Sequence, residues 1–282
     1  MNKKAVIYLT GGLGNQLFQY AFARSLQSNY NIECEINTNF YFSDFKEQTP
    51  REIGLNLFNL KFKESRNSNF QKLILRIKEK LFSFNTSFFN ENNLNQNNFN
   101  DINLNKKNYF RGYWQNYKYF ESIKSELKED FSLDHNLGKL DLITYNKIID
   151  TNSVCIHVRR GDIIGTLYDV VELDYYQKAF EHLSSKVLNL NFFIFSDDIN
   201  WCKENFSFIN NPTFCSFTML NDFHLMSLCK YFIITNSTFS WWAAYLSNHK
   251  EKIVIAPSKW HRTNLKLLKD ASPPNWIILN NN

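Results

Sequence analysis

Three short segments of this sequence carry residue types that packing alone does not call for. The first is HVRRGD, His157 to Asp162, which closes an apolar run. Two adjacent guanidiniums repel one another when idle, whereas a diphosphate accepts their planar forks bidentately. Arg159 and Arg160 equally suit ion pairs with Asp162 or another acid, and His157, inside the apolar run, suits a satisfied core histidine as well as a ligand. The second segment, ITNSTFSWWAAYLS from Ile233 to Ser247, reads as a strand, a polar turn and an aromatic helix. Asn236, Ser237 and Thr238 are placed to cap that helix, either as a plain N-cap or so as to leave backbone N–H groups facing a phosphate. Phe239 suits stacking on a base or ring, while Trp241 and Trp242 read as core. The third segment, GGLGNQ from Gly11 to Gln16, permits a sharp turn and close approach to a ligand, Gly14 included. It resembles a dinucleotide fingerprint but fails at its third small residue, where Leu17 stands, although Glu33 or Glu35 ends the next strand. A nicotinamide-linked reading also leaves HVRRGD without a role.

Metal chemistry finds little support in the residue pattern. No Asp-x-Asp occurs in the chain, and the adjacent Asp197 and Asp198 would face opposite ways at a strand end. No Cys/His cluster has zinc spacing. A diphosphate leaving from such a site has Arg159 and helix dipoles to neutralise it.

The elements that must position these groups follow from periodicity. A strand from Ala5 to Leu9, a loop from Thr10 to Asn15, a helix from about Gln16 to Ser28 and a strand from Ile32 to Ile36 make a βαβ-like start and favour a parallel sheet. Between residues 85 and 108, 11 of 24 residues are Asn, which reads as a long surface excursion carrying little chemistry. RGYWQNYKYF, Arg111 to Phe120, leads to a charged helix from Glu121 to Asp130. A polar connection from Asp134 to Lys139 then divides the chain into expected domains 1–138 and 139–282. In the second half, apolar runs Val154 to Val158, Phe192 to Phe195, Tyr231 to Thr235 and Ile253 to Ala256 alternate with helix-like segments, among them Tyr175 to Leu188 and Phe239 to Ser247. That is a doubly wound α/β pattern, and each run ends in RRGD, SDD, NSTFS or PSKW. Ligands of open parallel sheets bind beyond the strands' C-terminal edge, so these four tips are expected to converge.

Bulk properties set bounds. The chain has 282 residues and a mass of 33.6 kDa, enough for one large or two small cores. Apolar residues make up 44% and aromatics 17%, with 27 phenylalanines for packing and for stacking on ligand rings. A net charge of +5 fits anionic substrates, but the basic residues are dispersed and not gathered into the stripe that duplex binding needs. Five cysteines without a CxxC pair point to reduced, mostly buried thiols and a cytoplasmic setting. Neither a signal segment nor a membrane span is expected, and the Asn-x-Ser/Thr triplets at Asn85, Asn205 and Asn236 read as chance.

Six blocks in order, GGLGNQLFQYAFA, GYWQNYKYF, HVRRGD, SDDINWCKENF, NDFHLMSLCKYFIITNSTFSWWAAYL and IAPSKW, resemble the galactoside α-1,2-fucosyltransferase family across nearly the whole chain. The resemblance implies two Rossmann-like domains facing a cleft, of the GT-B glycosyltransferase type. The N-terminal domain would lie on the acceptor side and the C-terminal domain would bind GDP-fucose. It implies an inverting transfer of fucose to the 2-hydroxyl of galactose, without metal or other cofactor. The partners would be GDP-fucose and a galactose-terminated oligosaccharide or glycolipid acceptor, and no nucleic acid. The setting would be bacterial O-antigen or lipopolysaccharide synthesis, in the cytoplasm or peripheral on the inner membrane face.

Carried over by position, the motif HxRRxD falls on His157, Arg159, Arg160 and Asp162, with Arg159 the diphosphate ligand. Asp222 matches the acid near guanine or ribose; Ser237, Thr238 and Phe239 match phosphate and base contacts, beside Asn236, Asp197 and Gly14. Asn15 matches a residue facing the reaction centre, so Arg159, Asn15 and Asp162 are the expected catalytic residues. Asp162, Asp169, Glu172 and Asp174 are the carboxylates considered for the general base. Fucosyltransferases of other linkage, α-1,6 or O-fucosyl, share the arginine motif, but FSWWAAYL sets this chain apart from them. A silent glycan- or nucleotide-sugar-binding protein would not need the arginine pair.

Overall fold

A computed structural model describes residues 4–42, 52–58, 60, 62–65, 88–91, 107–133, 140–263 and 271–281. The chain divides into two compact units, Met1–Ser132 and Leu133–Asn282. Most of the Asn-rich stretch and the polar connection 134–139, with the boundary expected inside it, lie outside the described residues.

In the first unit, β1 (Lys4–Tyr8), α1 (Leu13–Tyr30) and β2 (Glu33–Asn37) form the expected βαβ start. Short strands β3 (Lys63–Ser65), β4 (Phe88–Asn90) and β5 (Lys107–Arg111) complete a sheet of order β3-β2-β1-β5-β4, every pair parallel. Helix α1 begins three residues earlier than periodicity suggests. Extended Gly12 serves as its N-cap, and its carbonyl accepts the first helical bond from the Gln16 N–H. Asn31, in the left-handed conformation, ends the helix by returning its N–H to Gln27. The charged segment after Phe120 starts as a 3-10 turn, Glu121–Ile123, and continues as α2 (Lys124–Asp130). Arg24 of α1 holds α2 through Glu126 and Asp130.

The second unit runs α3 (Leu142–Asp150), β6 (Asn152–Val158), α4 (Leu173–Ser184), β7 (Leu190–Ser196), α5 (Ile199–Asn205), β8 (Thr213–Cys215), α6 (Met219–Leu228), β9 (Tyr231–Ile233), α7 (Thr238–Leu246), β10 (Val254–Pro257) and β11 (Ile277–Leu279). Its sheet has the order β11-β10-β9-β6-β7-β8 and is parallel throughout. Strand β6 is buried at every position but its first, with an apolar stretch from Val154 to Ile156, as expected of a central strand in a doubly wound sheet. The chain grows from β6 towards β7 and β8 on one side and towards β9, β10 and β11 on the other, so the order reverses between β6 and β9.

Trp241 and Trp242 are wholly buried, with Trp241 stacked on Tyr245, as expected of core residues. All five cysteines are free and buried. Among the described residues no helix is long and apolar enough to cross a membrane.

Candidate active site

The reversal between β6 and β9 is where a doubly wound sheet opens a crevice for ligand, and the motif residues stand on those two tips. After β6, the Arg159 guanidinium donates to Asp162 at 2.6 Å, with about a quarter of each side chain exposed. Arg160 turns to the neighbouring tip. Its backbone N–H donates to Asp197 at 2.8 Å, its Nε donates to Asp198 at 3.2 Å, and its guanidinium lies 3.9 Å from the centre of the Trp201 ring. Asp198 also caps α5 by accepting the Trp201 N–H. A β-carbon on Gly161 would stand 3.0 Å from the Asp197 carboxylate, a tight approach beside the hydrogen bond that Asp197 accepts from the Arg160 N–H. Both surface ion pairs admitted by the arginine motif are thus present, and Asp197 and Arg160 fix the loop from which Arg159 projects.

After β9, Ser237 caps α7 by accepting the Phe239 N–H at 3.3 Å, with no acidic residue in the helix's first turn. The end of α7 carrying the positive dipole therefore sits beside the β6 tip. Thr238 opens α7 and is half-buried. Asn236 does not point to that helix end. Its Nδ2 donates to the Tyr168 carbonyl at 2.7 Å and to the Trp260 carbonyl at 3.1 Å, tying the tips of β6, β9 and β10 together.

Phe239 is half-buried between Phe223, at 5.2 Å, and His157, at 5.9 Å between ring centres. His157 is buried, and its Nδ1 has no hydrogen-bond partner among the described residues. Burial, with the Arg159 charge added, pushes its pKa down to about 3, so it is a neutral imidazole at physiological pH. Asp222, in the first turn of α6, accepts the Phe217 N–H at 3.1 Å. Burial outweighs that bond and pushes its carboxyl up to about 6. Of the other carboxylates near the arginine loop, Asp169 accepts the Gly165 N–H and Asp174 pairs with Lys178. Glu172 stands exposed at the start of α4 without a side-chain cap bond.

The first unit presents a different set on its strand tips. Gly11 has φ +79°, a conformation strained for a residue with a side chain, and a β-carbon there would stand 2.6 Å from Asn15 Nδ2 and displace it. The Gly11 carbonyl accepts from Tyr41 Oη and from Gln16 Nε2. Gln16 also accepts the Gly54 N–H, and Gln19 bonds both Thr10 and the Gly112 carbonyl. Asn15 Oδ1 accepts from Gln115 Nε2 at 2.9 Å. The turn carrying Gln115 passes through Trp114, whose φ of +57° is strained for a side chain of that size. Stacking on Phe22, with ring centres 4.1 Å apart, holds it there, and the Glu91 carboxylate accepts the N–H groups of Tyr113 and Gln115.

Gln16, Gln19, Gln115 and Glu91 were not read from the sequence as site residues. Gln16 and Gln19 lie three apart and so share a helical face, and Gln115 falls inside the quoted GYWQ block. Glu91 falls in the Asn-rich stretch, expected to carry little chemistry, and had no signal. Glu33 and Glu35, the acids suggested by a dinucleotide fingerprint, pair with Lys63. Among the described residues no group of three His, Cys, Asp or Glu is gathered to hold a metal.

A doubly wound sheet with an arginine loop and a capped helix N-terminus at its switch point, in a chain with a second parallel-sheet unit, is the α/β architecture of the GT-B type. The crystal structure of the fucosyltransferase NodZ from Bradyrhizobium has that fold, with a TM-score of 0.51 at 12% identity over 86% of this chain and 93% of that one. The model of glycosyl transferase family 11 matches residues 5–280, and this chain belongs to that family, which holds the galactoside α-1,2-fucosyltransferases. Two Escherichia coli proteins are similar over 96% of this chain. The O-antigen biosynthesis glycosyltransferase WbnK is 32% identical over 99% of its length, and an alpha-1,2-colitosyltransferase is 34% identical over 97% of its length. The chain is thus a glycosyltransferase that takes a nucleotide-sugar donor and an oligosaccharide acceptor.

Proposed function

We propose that this enzyme moves L-fucose from GDP-fucose to the 2-hydroxyl of a galactose with inversion at the anomeric carbon. The observation that supports it best is the pairing of Arg159, after β6, with the Ser237-capped N-terminus of α7, after β9, on adjacent strand tips. The two together offer a fork and a dipole to one diphosphate. In the displacement, the acceptor hydroxyl oxygen bonds to the anomeric carbon as the bond to the GDP oxygen breaks, and GDP leaves with the electron pair. The sugar passes through an oxocarbenium-like state, and charge grows on the leaving phosphate, where Arg159 and α7 stabilise it. Asp162 orients Arg159, while Arg160, Asp197 and Asp198 hold the loop.

Asp222 accepts a hydrogen bond from the nucleotide, and Phe239, backed by neutral His157, offers it a ring face. Asn15 acts at the reaction centre from the first unit. Of the four carboxylates considered as base, three are engaged and Glu172 is left to take the hydroxyl proton. The reaction needs no metal, and the place of work is the cytoplasm or the inner membrane face.

The 34% identity to a colitosyltransferase favours a second reading, the same linkage with a 3,6-dideoxy sugar as cargo. Incubation with GDP-fucose or GDP-colitose and galactose-terminated oligosaccharides, with the product linkage read by NMR, separates the readings. Fucose at the 2-hydroxyl is the expected product. Transfer from GDP-colitose alone would establish the second reading, and any other linkage would overturn both.

A further inference from the structure

The loop between the arginine motif and α4 is bound along its backbone in an unusual way. Four successive carbonyls, Leu167 to Val170, each accept a hydrogen bond from a different group. Leu167 accepts from the Arg262 N–H at 2.9 Å, Tyr168 from Asn236 Nδ2 at 2.7 Å, Asp169 from the Arg262 guanidinium at 3.2 Å, and Val170 from Asn281 Nδ2 at 2.7 Å. Asn281 is buried and also binds Lys259 through both its N–H and its carbonyl, which ties the loop to the β10 tip. Gly165, at φ +73°, makes the turn that leads into this stretch.

A loop held so firmly has no need of an exposed apolar surface, yet this one carries three such residues within five positions. Ile164 and Leu167 are each 51% exposed and Tyr168 is 48% exposed. The Tyr168 ring is set edge-to-face against His261, with centres 4.8 Å apart. The two charged side chains bonded to this stretch are of opposite sign: the Asp169 carboxylate accepts the Gly165 N–H and the Arg262 guanidinium donates to the Asp169 carbonyl. The rim is therefore held along its backbone, apolar in its exposed side chains, and flanked by one acid and one base. Its backbone is bonded directly to Asn236, one residue before the helix cap assigned to the leaving phosphate.

We propose that Tyr168, with Leu167 beside it, is an acceptor-sugar platform on which the apolar face of the galactose ring packs next to the donor. A neutral pyranose is the ligand that fits. It has a C–H face that an aromatic ring covers, and it brings no charge for the rim to balance. A pre-formed loop also spares the ordering cost that a mobile one would exact on binding. This rests on the galactoside reading above, and gives the C-terminal unit an acceptor contact beyond the acceptor-side role expected of the N-terminal unit.

The test compares Tyr168→Ala and Tyr168→Phe with the parent enzyme in three measurements: the KM for lactose as acceptor, the Kd for GDP by calorimetry, and ligand-observed NMR of lactose binding to GDP-loaded protein. Tyr168→Ala is expected to raise the lactose KM and weaken its NMR-detected binding by about five- to tenfold, with the GDP Kd changed by less than about twofold, while Tyr168→Phe stays near the parent. An unchanged lactose KM and binding in Tyr168→Ala would overturn the platform. So would a GDP Kd that weakens in parallel, since Tyr168 would then only hold the donor loop, or a Phe variant as poor as the Ala variant. A parent enzyme that binds lactose through Tyr168 yet transfers neither sugar to it would instead count against the proposed reaction.

Discussion

The two units share a plan and differ in what they put on it. Each is a parallel sheet built outward on both sides of its first strand, β1 or β6, with ligand-type residues on the strand tips. On the first unit those tips are bonded by carboxamides. Asn15 pairs with Gln115, Gln16 with Gly54, and Gln19 with Thr10 and Gly112, while the Glu91 carboxylate is taken up by backbone N–H groups. On the second unit they are bonded by charges, with Arg159 to Asp162 and Arg160 to Asp197 and Asp198. The fold is common to both and the chemistry lies in the tips. Carboxamides orient neutral hydroxyls, whereas forks and helix dipoles hold and neutralise a diphosphate. On the proposed reaction, the second unit is therefore the one expected to hold the donor's leaving group.

Breaking the charged edge is expected to have the largest effect. Arg159→Lys keeps the charge and loses the fork, and is expected to lower kcat about a hundredfold, on the order of 3 kcal/mol, with circular dichroism unchanged. Near-parent turnover in the folded variant would take Arg159 out of its role. Asp222 sharpens the same side of the comparison through pH. Its carboxyl titrates near 6 because it is buried, so it is charged at pH 7 and neutral at pH 5. A charge-assisted bond to the nucleotide is present above that pKa and lost as pH falls through it. GDP affinity measured by calorimetry is expected to fall towards about tenfold per unit below pH 6 and to flatten in Asp222→Asn. A parent profile as flat as that of the variant would place Asp222 away from the nucleotide.

The neutral edge is expected to respond more weakly and in a different parameter. If Asn15 acts on the reacting groups and not on the nucleotide, as proposed, Asn15→Ala is expected to lower kcat by about five- to tenfold with the GDP Kd within about twofold. Equal loss of GDP binding in Asn15→Ala and Asp222→Ala would erase the division between the units.

How much of this was legible in the sequence differs between the same two regions. The long apolar strands β6 and β7 and the motifs on their tips were readable because a buried parallel strand is a continuous apolar run that stops at a polar tip. Strands β8 and β11, three residues each, are too short for any period to register, and sheet pairing alone defines them. The early start of α1 was hidden because glycines normally argue against a helix, yet here Gly12 is its cap and Gly14 lies within it. The carboxamide network was hidden for a different reason. Gln16, Gln19 and Gln115 look like ordinary polar residues until the fold brings a residue near position 15 against one near position 115. The left-handed Trp114 that makes this meeting had no sequence signal, because its strain is upheld by a stacking partner, Phe22, about ninety positions away.

The smallest expected effect is that of removing divalent ions, and it tests whether charge on the second unit is sufficient by itself. The adjacent acids there are Asp197 and Asp198, and each already has a structural task. Asp197 accepts the Arg160 N–H, and Asp198 accepts both the Arg160 Nε–H and the Trp201 N–H that begins α5. A cation bound to them would compete with the hydrogen bonds that hold the loop carrying Arg159 and cap α5. Leaving-group stabilisation by Arg159 and the α7 dipole involves no such conflict. On the proposed metal-free reaction, transfer rates in excess EDTA are expected to stay within about twofold of those in Mg²⁺, where a working Lewis acid would supply several kcal/mol. Complete loss in chelator with recovery on adding Mn²⁺ would show that those carboxylates let go of the loop to take up a metal, and would move the diphosphate charge from arginine to the ion.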